Sequence, residues 1–291
     1  MMTGAKDDPA QAFQHARPAL LGMAYRMLGT RTDAEDVVQD VFLRWAAAER
    51  TSIRNPAAWM MTVCTRRSID VLRSAERSRI DYVGPWLPEP LEPGWNEEPQ
   101  ELSFALETAF LMVLERASAK ERAAFLLHDI FGLAHAEVAS TLNVTVEASR
   151  KLASRARQRV SSGQARHTLG LAEQRRLLAA FQDAIMTDDM TAFAAVIAQD
   201  VQLIADGGGK ATALDLPLEG RDKVTDYLVT ARNWWRAYRW REVAIGTGSG
   251  FTLFDEFAIA AQIWFAYDHE ARVSRIFIMR NPDKLSNRNS D

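Results

Sequence analysis

A proline-rich, acidic segment at residues 81–100 divides the chain and limits what it can fold into. Half of the ten prolines fall there, at positions 85, 88, 90, 93 and 99. Each proline removes a backbone donor and fixes φ, which excludes both a helix and a central strand. The stretch from 82 to 101 also holds five glutamates and no basic residue. We therefore predict an extended, semi-rigid linker between separately folded parts.

Four large apolar side chains in this linker predict that it contacts another surface of the protein. They are Trp86, Leu87, Leu91 and Trp95. A connector surrounded by water would be polar, so these side chains favour a linker that packs on a folded domain. The alternative, that they are merely exposed, stays open.

The hydrophobic pattern before and after the linker differs from the pattern near the C-terminus. Residues 9–80 and 101–162 show helical spacing, which predicts two all-α domains. Thr32 and Asp33 are predicted to cap one helix, and Asn55 followed by Pro56 opens another. After residue 163 the pattern predicts helices at 171–187, 190–198 and 220–233, and strands at 201–205, 238–245, 251–254, 257–267 and 273–279. This predicts a third, α+β domain at 168–285, in which helices pack on a curved antiparallel sheet.

Composition excludes several classes of protein. With 47% hydrophobic and 25% charged residues, the 291-residue chain is typical of a packed globular protein. Cys64 is the only cysteine and the five histidines lack metal-ligand spacing, so we expect no disulfide, metal or cofactor. The N-terminus has no apolar signal core and no run is long enough to cross a membrane, so we expect a cytoplasmic location.

Charge distribution points to nucleic acid although the net charge is −3. Residues 66–79 contain five arginines against two acids, and residues 144–166 contain six basic residues against one acid. Within 137–159 a short helix, a tight turn and a basic helix follow the helix-turn-helix pattern, which places the second helix in a major groove. A basic helix that is merely solvated stays the alternative.

The residues of that second helix divide into two groups by position. Those near its start are expected to reach base edges: Thr145, Glu147, Ser149, Arg150 and Lys151. Arg155, Arg157 and Arg159 lie further along and are expected to hold phosphates.

Several motifs together resemble one family. The run DAEDVVQDVFLRW at 33–45, with AYRMLG before it and NPAAW after it, is similar to the sigma-two domain of extracytoplasmic-function sigma factors. The run ERAAFLLHDIFGLAHAEVASTLNVTVEASRKLASRAR at 121–157 is similar to the sigma-four domain. The runs YVGPWLPEP, DGGGK and NPDKL resemble signatures of a subgroup that carries a C-terminal SnoaL-like domain with a cone fold.

This resemblance implies a non-enzymatic subunit that directs core RNA polymerase to promoters. The implied polymerase contacts are Asp33, Glu35, Asp36, Gln39 and Asp40. The implied contacts to the melted −10 element are Arg54, Asn55, Arg66, Arg67 and Arg73, and the helix-turn-helix would read the −35 element. Extruding a base costs a few kcal/mol, which stacking and a basic surface can offset.

The resemblance also implies that the C-terminal domain regulates the protein from within the same chain. The expected interdomain contacts are Trp86, Leu87, Asp206, Gly207, Gly208, Gly209, Lys210, Asn281, Pro282, Lys284 and Leu285. For the glycine loop at 206–210, a plain hairpin turn, a phosphate cradle and a grip on the linker glutamates through Lys210 all stay open. A small regulatory ligand in the cone also stays open, as does the alternative of a repressor with a ligand-sensing domain.

Overall fold

A computed structural model describes residues 9–78, 82–91, 94–96, 108–162, 169–246, 248–256 and 258–285. The predicted linker and the start of the helical domain predicted at 101–162 lie partly outside these ranges. The chain forms two compact units. The N-terminal unit contains residues 1–80 and 94–162, and the C-terminal unit contains residues 81–93 and 163–291. Both predicted helical domains therefore belong to one unit, and the predicted linker is divided between the two units.

Three long helices begin the N-terminal unit: α1 (Pro9–Leu28), α2 (Arg31–Ala47) and α3 (Pro56–Ser78), with a 3₁₀ turn at Arg50–Ser52. The predicted cap of α2 is wrong by two residues. Thr30, not Thr32 or Asp33, is the N-cap, and its hydroxyl accepts from the Asp33 backbone N–H at 3.3 Å. The helix can begin there because Gly29 adopts a φ of 77°, which turns the chain out of α1.

The second helical part contains α4 (Thr108–Glu115), α5 (Ala119–Phe125), a π-helical turn (Leu126–Ile130), α6 (His135–Leu142) and α7 (Val146–Ser162). A capping box starts α5, since Ser118 and Glu121 bond to each other's backbone N–H. Asn143 ends α6 in the left-handed conformation with a φ of 52°. This tight turn leads directly into α7 and completes the predicted helix-turn-helix.

Buried and half-buried polar groups join the two helical parts. The buried guanidinium of Arg122 on α5 donates to the carbonyls of Met27 and Leu114. Arg66 on α3 donates to the Thr141 carbonyl at 2.8 Å and to the Ser140 carbonyl at 3.1 Å, at the end of α6. Side chains therefore bond to main-chain carbonyls across this interface, which is a polar mode of association.

The C-terminal unit has an α+β fold. Its helices are α8 (Leu171–Thr187), α9 (Thr191–Val196), α10 (Arg221–Arg236) and the short α11 (Pro282–Leu285). Its strands are β1 (Ile197–Asp206), β2 (Leu218–Glu219), β3 (Arg239–Ile245), β4 (Gly248–Asp255), β5 (Ala258–Tyr267) and β6 (Val273–Met279). They form one sheet in the order β2-β1-β6-β5-β4-β3.

The predicted antiparallel meander is present in β3 to β6. The pairing of β1 differs from that expectation, because β1 lies parallel to β6, with Leu203 opposite Ile276. The α10 crossover makes this parallel pairing geometrically accessible. The helix predicted at 190–198 is also shorter than expected, because it ends at Val196 and the extended run begins at the β-branched Ile197.

One face of this sheet packs on helices α8 to α10 to form the core of the C-terminal unit. Phe181 on α8 has its ring centroid 5.1 Å from Phe193 and 5.5 Å from Phe265. Among the residues described above, no helix is long and apolar enough to cross a membrane. The same residues contain no cluster of three His, Cys, Asp or Glu side chains that could hold a metal ion.

Candidate functional site

The first turn of α7 holds the side chains expected to read bases. Arg150 is exposed there, and Lys151 is exposed and pairs with Glu147 at 2.7 Å on the same helix. The Thr145 hydroxyl accepts from the Ala148 backbone N–H at 3.1 Å and so caps the helix. The turn therefore presents two basic side chains at its surface, while Thr145 stabilises the helix start.

Ser149 does not fit its expected role as a base contact. Its side chain is fully buried, and its hydroxyl lies 3.1 Å from Nδ1 of His135 at the start of α6. The ring of His135 stacks on His128 with 3.8 Å between centroids, and Nδ1 of His128 donates to the Leu133 carbonyl. Ser149 is thus a brace between the two helices of the motif, because a buried hydroxyl cannot reach a base edge.

The electrostatics of this brace keep the ring of His135 neutral at neutral pH. Desolvation lowers the pKa of His135, and the neighbouring His128 and Arg150 lower it further.

The arginines further along α7 bond to carboxylates of the same unit. Arg157 lies 2.5 Å from Asp129, and Arg159 lies 2.6 Å from Glu121, with Arg155 at 3.8 Å from the same Glu121. Each of these three guanidinium groups therefore lies within 4 Å of a carboxylate of the same unit. A phosphate would have to share them with Asp129 and Glu121.

The residues expected at the −10 element lie on or before α3, in three different environments. Arg54 and Arg73 are exposed, whereas Asn55 caps α3 by accepting from the Ala58 N–H at 3.1 Å. Arg67 pairs with Asp40 at 2.7 Å, and Arg66 bonds to the end of α6. Part of this predicted surface is therefore exposed, and Asn55, Arg66 and Arg67 bond to other groups of the unit.

The acidic face of α2 is likewise only partly exposed. Asp36 and Gln39 face solvent. Asp33 accepts from the Thr30 hydroxyl at 2.6 Å, and Glu35 accepts from Arg31 at 2.9 Å. With Asp40 held by Arg67, two of the five predicted polymerase contacts are fully available.

A buried polar cluster in the C-terminal unit holds the first half of the linker. We call it the linker clamp; it consists of Asp206 at the end of β1, Asn281, and Lys284 on α11. Lys284 Nζ lies 2.7 Å from Asp206 Oδ2, and their side chains are 7% and 0% exposed. Asp206 accepts from the Leu87 backbone N–H at 2.8 Å, and Lys284 donates to the Leu87 carbonyl at 2.6 Å. The clamp thus bonds both main-chain polar groups of one linker residue.

Aromatic side chains of the linker complete the clamp. The Tyr82 hydroxyl donates to Asp206 Oδ1 at 2.5 Å and accepts from Asn281 Nδ2 at 3.0 Å. Lys284 Nζ lies 4.2 Å from the Trp86 ring centroid, within the range of a cation–π contact. Leu87 is completely buried. A buried ion pair is stable only when the remaining donors and acceptors of both charged groups are also hydrogen-bonded. The linker provides these hydrogen bonds.

The glycine loop after β1 makes a close backbone approach to this cluster. Gly208 has a φ of 60°, and a Cβ there would lie 2.3 Å from the Asn281 side chain. A Cβ on Gly207 would lie 2.2 Å from the Ala211 carbonyl. The loop therefore needs glycine for its turn and its packing, and the Gly208 N–H donates to Asp206 at 3.0 Å.

Lys210 and Pro282 are placed differently from the contacts expected of them. Lys210 pairs with Asp283 on α11 at 2.6 Å. Its grip on the linker glutamates, one of the alternatives left open, stays a prediction, since most of those glutamates lie outside the described residues. Pro282 is exposed and begins α11, so it makes none of the expected buried contact, whereas Leu285 is buried. Tyr82 was not among the contacts predicted from the sequence. Its position beside the prolines of an apolar linker could have indicated that its hydroxyl would find a partner in the domain on which the linker packs.

Two models of sigma factor regions match the chain. Sigma-70 region 2 matches residues 12–78, and sigma-70 region 4 matches residues 108–160. The ECF RNA polymerase sigma factor SigJ of Mycobacterium tuberculosis is 37% identical over 231 residues, which cover 75% of this chain and 71% of SigJ. This chain belongs to the extracytoplasmic-function sigma factors. Sigma factors of this family bind core RNA polymerase and promoter DNA, and this sigma factor directs transcription initiation.

Two further comparisons extend the likeness. The probable ECF sigma factor SigI of Mycobacterium tuberculosis is 30% identical over 192 residues, covering 64% of this sigma factor and 66% of SigI. The crystal structure of Mycobacterium tuberculosis SigJ superimposes with a TM-score of 0.73 and 29% identity, covering 95% of this sigma factor and 98% of that chain. Because this match spans nearly the whole chain, it includes the C-terminal α+β unit.

Proposed function

We propose that this sigma factor selects promoters with its two helical domains and that its C-terminal unit regulates it in cis by holding the linker. The observation that carries the proposal is the bonding of Asp206 and Lys284 to both main-chain groups of Leu87. A contact to main-chain groups holds the linker in one register. It therefore restricts how the chain between the two DNA-reading domains can extend.

In this proposal the exposed basic side chains contact promoter DNA, and the acidic face of α2 contacts core polymerase. Arg54 and Arg73 are exposed on the −10 side, and Arg150 and Lys151 are exposed at the start of α7. The protein acts in the cytoplasm without catalysing a reaction of its own. A small ligand bound in the C-terminal unit would be a second regulatory signal, but regulation by the clamp does not require one.

In vitro transcription with core polymerase tests the regulatory role. Tyr82→Phe removes the hydroxyl that bonds to Asp206 and Asn281 but keeps the ring. We expect it to change promoter-dependent transcription by about three-fold or more. The linker exchanges between the state held by the clamp and the state that it adopts in the holoenzyme, so losing these bonds shifts that equilibrium. A chain ended near Arg166 should change transcription in the same direction. That direction shows whether the clamp inhibits or supports initiation.

The matched control is Lys210→Met, which removes an exposed ion pair next to the clamp. It should leave transcription unchanged. If Tyr82→Phe and the shortened chain both transcribe like the full protein, the C-terminal unit does not regulate this sigma factor.

Promoter reading is tested with Arg150→Ala and Arg157→Ala in the holoenzyme. Arg150→Ala should relax discrimination at one −35 position by about 1–3 kcal/mol, as expected for a lost base contact. Arg157→Ala should weaken binding nearly uniformly across −35 sequences, because Arg157 is expected to hold a phosphate. Equal loss of sequence discrimination in both variants would contradict this division of α7.

A further inference from the structure

Residues 94–96 of the linker lie on the first two helices of the N-terminal unit. Trp95 Nε1 donates to Glu35 Oε1 on α2 at 2.9 Å. The Trp95 ring packs on Tyr25 of α1, with centroids 5.5 Å apart and planes at 59°. Asn96 donates from Nδ2 to the Pro18 carbonyl at 2.9 Å. Three contacts therefore hold two consecutive linker residues against α1 and α2.

Glu35 is the residue that makes this placement significant, because it is one of the five predicted polymerase contacts. It lies at the rim of a shallow depression of about 190 Å³ between α1 and α2. The lining is Phe13, Arg17, Leu21, Glu35, Val38, Gln39 and Phe42. Phe42 is 39% exposed there and packs on Phe13, with 4.9 Å between the ring centroids. Trp95 thus bonds to a carboxylate beside an open, largely apolar surface.

The contacts made by Trp95 and Asn96 are suited to release. Both side chains are only half-buried. Glu35 keeps a second partner in Arg31 at 2.9 Å, so its carboxylate would remain bonded after Trp95 leaves. Gly94, just before them, has a φ of 85°, which lets the chain turn onto the helices without strain. No buried charge would be left unpaired if this segment moved away.

We propose that Trp95 is a detachable cover on the polymerase-binding face, so that core RNA polymerase binds this sigma factor by displacing residues 94–96. The inference rests on the proposed polymerase contact at Glu35. A cover that occupies part of the binding face weakens the apparent affinity for core polymerase. The apparent Kd equals the Kd of the uncovered state divided by the fraction of molecules that are uncovered. Removing the cover therefore tightens binding without adding a contact.

The test is the affinity of the full-length protein for purified core RNA polymerase. Trp95→Ala should tighten binding roughly three- to ten-fold, because the uncovered state becomes dominant. Trp95→Phe, which keeps a ring on Tyr25 but loses the N–H, should give a smaller increase. Leu216→Ala, in the C-terminal unit and 76% exposed, is the matched control and should bind like the wild type.

Cysteine labelling supplies a readout of the displacement itself. Cys64 is fully buried, and burial raises the pKa of its thiol to about 12, so it should stay silent toward a maleimide. A cysteine introduced by Asn96→Cys should react faster after core polymerase is added. Slower or unchanged labelling in the holoenzyme would show that the segment stays in place.

The outcomes separate this inference from the proposed function. Unchanged affinity in Trp95→Ala overturns the cover, and weaker affinity overturns it by showing that Trp95 itself contacts polymerase. If neither the wild type nor Trp95→Ala binds core polymerase, the proposed function fails and the cover fails with it. Binding by Trp95→Ala alone would support the cover in its strongest form.

Discussion

The two halves of the linker are held by opposite kinds of interaction. Residues 82–91 bond to a buried ion pair of the C-terminal unit, and Leu87 is completely enclosed. Residues 94–96 are held by half-buried side chains on α1 and α2. Removing the first half would take from the Asp206–Lys284 pair the bonds that it makes to Leu87 and Tyr82, whereas removing residues 94–96 would expose groups that water can bond. The linker therefore combines one stable attachment with one labile attachment.

The core of the C-terminal unit also differs from the junction between the two helical parts of the N-terminal unit. Aromatic side chains such as Phe181 and Phe265 pack edge to face in the C-terminal core. At the junction of the helical parts, arginines on one part bond to main-chain carbonyls of the other, as Arg66 does with Thr141. The first contact is apolar, whereas the second consists of side-chain to main-chain hydrogen bonds.

The largest effect should come from breaking the ion pair of the clamp. Lys284→Met leaves the completely buried carboxylate of Asp206 without its cation, which should lower the free energy of unfolding of the C-terminal unit by about 3–5 kcal/mol. Lys210→Met removes an exposed pair and should cost less than about 1 kcal/mol. Urea denaturation of the two variants checks this, and equal midpoints would show that the clamp is no more stable than a surface contact.

A smaller effect is expected from the apolar part of the same attachment. Leu87→Ala should lower the stability of the C-terminal unit by about 2–4 kcal/mol, because a fully buried leucine leaves a cavity. Val83→Ala, at a position that is 57% exposed, should change it by no more than about 0.5 kcal/mol. Thermal unfolding measures both. Equal shifts would mean that Leu87 is not enclosed in solution.

The smallest effect should appear in the N-terminal unit. Arg66→Ala removes two hydrogen bonds to carbonyls at the end of α6, and because the side chain is exposed we expect a loss of about 1 kcal/mol. Arg54→Ala should leave stability unchanged, since Arg54 is exposed in the loop before α3. A loss for Arg66→Ala as large as that for Lys284→Met, measured by thermal unfolding, would remove the contrast between the units.

Many of the helices and strands were predictable because each depends on the hydrophobic pattern of its own stretch of sequence. The strand predicted at 273–279 is present with those bounds, as is the helix at 171–187, since alternation and helical spacing report burial directly. The apolar side chains of the linker also indicated that it would pack on a domain. The parallel pairing of β1 with β6 was not predictable, because a strand's own pattern does not identify its neighbour.

In the candidate site, too, the sequence did not predict which side chains are exposed and which are buried against another element. Arg150 and Ser149 are neighbours in a polar helix start, yet one is exposed and the other is buried against His135. Lys210 and Lys284 each lie in a short motif, DGGGK and NPDKL. Lys284 nevertheless bonds to Leu87 of the linker, whereas Lys210 pairs with Asp283. Residue type and spacing identified the motifs, but the direction of each side chain depends on the element packed against it.

By itself the sequence determined the family, the positions of most helices and strands, and the presence of an apolar linker. These follow from motifs and periodicities that lie within short stretches of chain. Only the tertiary structure decided that the linker is shared between two units, with Leu87 held by Asp206 and Lys284 and Trp95 held by Glu35. The physical reason is that these contacts join residues 60 to 197 positions apart, and no local pattern encodes which distant partner satisfies a buried charge.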